Sequence, residues 1–233
     1  MGKSRSEVIK GINKLSSYRF GFRIFPTGAR WRYVFVTMGL PGTGKTSFCE
    51  VLANAVPACM CKLIQRDALR MDLLWDIRKL DPKKQQRALS DLDDLTTSRV
   101  IEEFDSAYDN EHLQTFIIDG CHTDQNTMFT LLRHIRDYTK DDPVFLSVCI
   151  IGSPSSKTAH QVTGQSEGDY SSFSPHGEHN SIPLSVLNKK RQQMKDFLNN
   201  NAAFEVMTFL CDQYYLVPSI DGKFIDVNPN IVK

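Results

Sequence analysis

No stretch of this 233-residue chain approaches the roughly 18 consecutive apolar residues that a membrane-spanning helix needs. The first residues also lack the apolar run of a secretory signal. The six cysteines (Cys49, Cys59, Cys61, Cys121, Cys149, Cys211) form no C-x-x-C pair and stand among apolar neighbours. They read as buried reduced thiols of a cytoplasmic protein rather than a disulfide framework or metal site. Acid is nearly missing from one end. Residues 1–33 hold eight Lys/Arg against Glu7 alone, a net of +7, whereas the remaining 200 hold 20 basic and 26 acidic residues, a net of −6. Arginine is missing from the whole interval between Arg136 and Arg191. No N-K-x-D element occurs, since Asn188-Lys189-Lys190-Arg191 fails at its last position, and this argues against a guanine-specific switch protein.

What is present is one complete phosphate-binding loop, Gly39-Leu40-Pro41-Gly42-Thr43-Gly44-Lys45-Thr46, which fits G-x-x-x-x-G-K-[ST] at every fixed position. Its setting is also right: the apolar run 34–38 before it reads as a buried strand, and Ser47 to Ala55 after it as a helix. Gly39, Gly42 and Gly44, with Pro41 and Thr43 between them, let the backbone curl so that its N–H groups face phosphate oxygens, with Ser47 in the helix N-terminus behind. Lys45 can then reach the β- and γ-phosphates, and Thr46 can place its hydroxyl on Mg²⁺. The chain is expected to bind a nucleoside triphosphate, ATP or GTP.

The rest of the chain alternates strands and helices. A short strand is expected over Cys59–Ile64, a helix over 67–80 ended by Asp81-Pro82, and one long helix over Lys83–Asn110. Phe116-Ile117-Ile118 ending in Asp119-Gly120 has the form of a buried parallel strand, followed by a helix over Asn126–Tyr138 and a strand over Val144–Ile151. Residues 152–183 turn to Ser, Gly, His and Thr and read as a long flexible lid loop. A helix over Ser185–Asn199 and closing strands over Phe209–Val217 and Lys223–Val227 complete the pattern. This order predicts an α/β fold, a doubly wound parallel sheet of the P-loop kinase type, over residues 34–233.

Ahead of that domain, residues 1–33 form a basic extension interleaved with Tyr18, Phe20, Phe22, Phe25, Trp31 and Tyr33. Cations beside aromatic faces are what single-stranded nucleic acid uses; a helix and strand docked on the core would use the same residues differently. Met1-Gly2-Lys3-Ser4-Arg5-Ser6 also satisfies the M-G-x-x-x-[ST] pattern, so that N-myristoylation at Gly2 would add a lipid-anchored fraction.

Two carboxylates are placed for chemistry. Asp119 ends an apolar strand and can hold Mg²⁺ or its waters beside the loop, although a helix cap would look similar. Asp67, in Arg66-Asp67-Ala68-Leu69-Arg70, follows the second strand on the edge where ligands bind. It can accept a proton from an attacking hydroxyl, and Arg70, one turn on, can hold an anionic group of the acceptor. His176-x-x-His179 lies in polar sequence and reads as solvated rather than as a metal site.

The phosphate loop followed by Arg66-Asp67-x-x-Arg70 resembles the kinase domain of bacteriophage-type 5′-polynucleotide kinases. Ile182-Pro183-Leu184-Ser185-Val186-Leu187, leading into a helix with Met194 and Phe197-Leu198, is similar to the segment after that family's lid. The resemblance spans Tyr33 to Asn199. It implies transfer of a γ-phosphate to a 5′-hydroxyl of RNA or DNA, with Lys45 and Thr46 on phosphates and metal, Asp67 as general base, Arg70 on an acceptor phosphate and Asp119 as the acidic residue of the third strand. Two departures accompany it. The family's lid supplies arginine to the transferring phosphate, whereas Lys157 is the one full cation of 152–183, with His160, His176 and His179 as weaker substitutes. Neither a D-x-D-G-T phosphatase motif nor a K-x-D-G ligase motif occurs, so an end-healing protein of this sequence would perform the kinase step alone. Two other functions use the same loop: a kinase for a small-molecule alcohol, and a catalytically weak nucleotide-binding interaction module.

Overall fold

The structure, a computed structural model, describes residues 31–155, 184–217, 219–220 and 223–224. The extension up to residue 30, with Gly2, and residues 156–183, with Lys157 and the three histidines of the expected lid, lie outside the described residues.

Residues whose side chains are apolar on both faces of the chain make the central strands. β1 (Arg32–Gly39) and β4 (Val144–Ile151) are almost wholly buried, as is β3 (Thr115–Asp119). With β2 (Cys61–Gln65) and β5 (Gln213–Val217) they form a five-stranded sheet in the order β2-β3-β1-β4-β5, every pair parallel. β6 (Ser219–Ile220) and β7 (Lys223–Phe224) pair separately and antiparallel.

Alternate residues of the sheet feed two apolar layers. Val34, Val36, Met38, Phe116, Ile118 and Val148 face one core, while Tyr33, Phe35, Ile117, Cys149 and Tyr215 face the other. The first core is covered by α4 (Leu92–Tyr108), α5 (Gln125–Tyr138), α6 (Leu184–Asn199) and α7 (Asn201–Leu210). The second is covered by α1 (Lys45–Asn54), through Phe48, Cys49 and Leu52. Helices therefore flank both faces of a parallel sheet, as expected. Phe104 of α4 is fully buried, with its ring 5.5 Å from Phe116 in an edge-on arrangement. A buried aromatic of this kind contributes about 1.5–3 kcal/mol.

Three expectations need correction. The single helix over 83–110 is two helices, α3 (Pro82–Ser90) and α4, joined at Asp91. There the Ser90 hydroxyl donates to the Arg87 carbonyl at 2.6 Å, competing with the helical ladder. α3 buries nothing, whereas Leu92, Thr96 and Val100 of α4 are buried, so the break lets the second segment turn onto the sheet. The chain 209–217 is not one strand: Phe209 and Leu210 are the last residues of α7, and the strand covers Gln213–Val217. Asn200 caps that helix by accepting from Ala203 N at 3.2 Å, and Ala203, Met207 and Leu210 recur on its buried side. β2 begins at Cys61 rather than Cys59, because Ala58–Met60 form a 3-10 turn. Cys59 is consequently exposed, while Cys49, Cys149 and Cys211 are buried and all six cysteines are free. Among the described residues no helix is long and apolar enough to cross a membrane.

Candidate functional site

The register brings the ends of four strands to one edge. Gly39 of β1 pairs with Ile151 of β4, and Gln65 of β2 pairs with Asp119 of β3. The loop after β1 and α2 (Arg66–Ile77), which starts directly after β2, thus open on the same edge.

The loop winds into α1 through Gly44, which caps that helix at φ 87° with no side chain bonded to the cap. A left-handed turn suits glycine, and the free first-turn N–H groups of such a helix are an anion site. The Gly39 N–H donates to the Cys121 carbonyl at 2.9 Å, tying the loop to the chain beyond β3. Inside it, the Thr43 hydroxyl and Lys45 Nζ both donate to the Leu40 carbonyl, at 2.8 and 2.6 Å. Lys45 is buried; Thr46 and Ser47 are exposed at the mouth, and Pro41 and Gly42 are half-buried.

Asp119 lies against this loop. The Thr46 hydroxyl donates to its Oδ2 at 2.7 Å, and Thr37 approaches Oδ1 at 3.5 Å. Thr37 also fastens β1 to β3, accepting from Gly120 N at 3.0 Å and donating to Gly120 O at 3.1 Å. Burial is the largest influence on Asp119 and raises its pKa above the usual carboxylate value, against the Thr46 hydrogen bond and the Lys45 charge. A hydroxyl and one carboxylate fit Mg²⁺, which takes one or two carboxylates and completes its shell with substrate phosphates and waters. Among the described residues no group of three or more His, Cys, Asp or Glu converges as a metal cage would require.

Asp67 is exposed in the first turn of α2, and its charge acts on both Asp119 and Cys121. Lys45, Thr46, Asp67 and Asp119 are therefore brought together. Arg70 is turned aside: its Nη1 donates to Asp93 Oδ1 of α4 at 2.9 Å. The neighbouring Arg66 is buried, with Nη2 donating to the Asp93 carbonyl at 3.2 Å and lying 3.6 Å from Oδ1.

Sequence reasoning missed Asp93, His122, Lys190 and the inward turn of Arg66. Arg66 was visible as the first residue of the Arg66-Asp67-x-x-Arg70 run, but its burial was not. His122 is buried in a left-handed turn at φ 38°, and its Nδ1 donates to the Thr37 carbonyl at 2.8 Å. The ring packs where a Cβ on Gly120 would come within 2.5 Å of its Cε1, so only glycine fits there. Burial, with the charges of Arg66, Lys45 and Lys190, lowers the His122 pKa to about 3. Lys190 belongs to α6, which docks on the 121–124 segment: Gln193, three residues on, donates to Asp124 Oδ2 at 3.1 Å and accepts from the Thr123 hydroxyl at 3.3 Å. A cavity of about 970 Å³ opens at the other edge of the sheet, beside Arg32, Tyr108 and Asp142, and no residue of the phosphate loop lines it.

No protein-family model matches the chain, and no curated protein matches it. Solved structures do. The structure of the Pnkp1/Rnl/Hen1 RNA repair complex is similar at 14% identity and a TM-score of 0.45, over 72% of this chain and 46% of that one. A second Pnkp1/Rnl/Hen1 structure is similar at 12% identity and 0.37, over 67% and 45%. The PezAT chromosomal toxin-antitoxin system of Streptococcus pneumoniae is similar at 12% identity and 0.38, over 65% and 58%. The chain spans less than half the length of the Pnkp1/Rnl/Hen1 chains it matches. All three likenesses are remote, so the functional reading rests on the site.

Proposed function

We propose that this chain transfers the γ-phosphate of a nucleoside triphosphate, with Mg²⁺, to a hydroxyl, and that the acceptor is a 5′-hydroxyl of RNA or DNA. The observation that carries the reading is the pairing of Gln65 with Asp119, which sets Asp67 beside the Thr46–Asp119 pair at the mouth of the phosphate loop.

The chemistry follows from that juxtaposition. The backbone of Gly39–Thr46 and Lys45 hold the donor phosphates. Asp67 takes the proton of the acceptor hydroxyl as its oxygen bonds to the γ-phosphorus. The bond from that phosphorus to the β–γ bridging oxygen breaks, and a nucleoside diphosphate leaves. Lys45, released from the Leu40 carbonyl, meets the charge on the transferring group. Thr46 and Asp119 are the residues that would hold Mg²⁺, which when bound would supply positive charge to the donor phosphates. Arg70 and the basic aromatic arm serve the acceptor's phosphates.

The acidic balance beyond residue 33 and the engagement of Arg70 with Asp93 favour a second reading, a kinase for a small-molecule alcohol. One experiment separates these from a nucleotide-binding module without turnover. The full chain is incubated with γ-labelled ATP, Mg²⁺ and a 5′-hydroxyl oligonucleotide, and label is followed in oligonucleotide and in free phosphate. Label in the oligonucleotide is expected. ATP binding without any transfer to it overturns the nucleic-acid reading.

A further inference from the structure

Arg66 presents an imbalance that the proposed reaction does not use. Its residue surface is only 6% exposed, yet among the described residues Nε finds no hydrogen-bond partner, and the buried Nε of Arg70 finds none there either. A guanidinium carries five N–H donors in a fixed fork, and leaving them unmet in a buried position costs free energy. Among the described residues the carboxylate paired with both cations is that of Asp93, 2.9 Å from Arg70 Nη1 and 3.6 Å from Arg66 Nη2. Lys190 reaches the same carboxylate with its charge. Burial is the largest single influence on Asp93 and opposes its ionisation, but Arg70, Lys190 and Arg66 together hold its pKa below the usual value.

Three cations around one carboxylate leave an excess of positive charge and of donors. A phosphate group, with more acceptor oxygens than a carboxylate and up to two charges, would satisfy both better. The Asp93 side chain is about half exposed (52%), in the first turn of α4, so it can swing outward without disturbing the core.

We propose that Asp93 is a specificity-determining residue: its carboxylate occupies the Arg66–Arg70 fork as an internal competitor, and an acceptor enters that fork only if it carries a phosphate able to displace it. This rests on the reading of Arg70 as an acceptor-phosphate residue. It adds that Arg66 shares the phosphate, and that neutral alcohols gain nothing from the fork.

The test uses Asp93→Asn, which keeps size and polarity but removes the competing charge, with Asp93→Ser as a second variant should the first fail to fold. Binding of a nucleoside 3′-monophosphate and of the plain nucleoside is measured by calorimetry on the full chain loaded with a non-hydrolysable ATP analogue and Mg²⁺. The variant is expected to bind the monophosphate about tenfold more tightly, with the nucleoside changed by less than about twofold. Raising salt should shrink the gain. Weaker monophosphate binding by the variant would mean that Asp93 pre-orients the arginines rather than competing with substrate, and overturns the proposal. An equal change for both ligands overturns it too. Because the readout is binding, it stands apart from whether label reaches an oligonucleotide, and failure of one reading is distinguishable from failure of the other.

Discussion

The Thr46 hydroxyl donates to Asp119 Oδ2 at 2.7 Å, joining two residues 73 positions apart at the point where phosphate loop and third strand meet. Thr46→Val removes that donor and leaves a buried carboxylate oxygen short of a partner, a loss of about 1–3 kcal/mol of stability. Mg²⁺-dependent binding of ATP should weaken in the same variant, whereas Thr46→Ser restores both. Thermal melts and ATP titrations with and without Mg²⁺ check it; unchanged metal dependence in Thr46→Val would remove Thr46 from the metal site.

Lys45→Ala should lower phosphoryl transfer by about 10²-fold or more, since it deletes the cation that meets the developing charge. The fold should survive. The Leu40 carbonyl keeps the Thr43 hydroxyl at 2.8 Å after the lysine is gone. A folded variant with normal turnover would sink the kinase reading.

Asp67→Asn retains shape but cannot accept a proton. Turnover should fall by about 10²–10⁴-fold while nucleotide affinity stays close to normal. Single-turnover transfer and equilibrium ATP binding, measured on the same preparation, separate the two. Affinity falling in step with turnover would assign Asp67 to the metal or to the architecture.

His122 makes stability depend on pH. Its folded-state pKa is lowered to about 3, while the unfolded chain takes up the proton near 6.5, the ordinary value of a histidine. Between those values the unfolded state binds more protons, so acid favours unfolding. This group's contribution to stability therefore falls as pH drops below 6.5, approaching about 1.4 kcal/mol per pH unit. Asn tolerates the left-handed backbone and can still donate to the Thr37 carbonyl. His122→Asn should flatten that slope in denaturant melts between pH 4 and 6.5, and an unchanged slope would refute it.

The sequence by itself determined the parts whose cause is local. Gly39–Thr46 declares its conformation through glycine spacing, and Val144–Ile151 is a strand with the bounds its apolar run implies, because both faces of a central parallel strand are buried. Asp119 could be assigned to the loop's side because an apolar strand that ends in a carboxylate has few other places to go. Only the tertiary structure decided what depends on distant partners. The break at Asp91 comes from what α4 can bury and α3 cannot, and no periodicity within 83–110 marks it. Arg70 faces Asp93 rather than open solvent because α2 and α4 pack side by side, bringing together two charges 23 positions apart in the chain. Burial of Arg66 and His122 follows in the same way from how the chain after β2 and β3 closes over the sheet edge. Burial and pairing of polar side chains are set by the sum of all neighbours, and a sequence specifies those neighbours only once the sheet order is fixed.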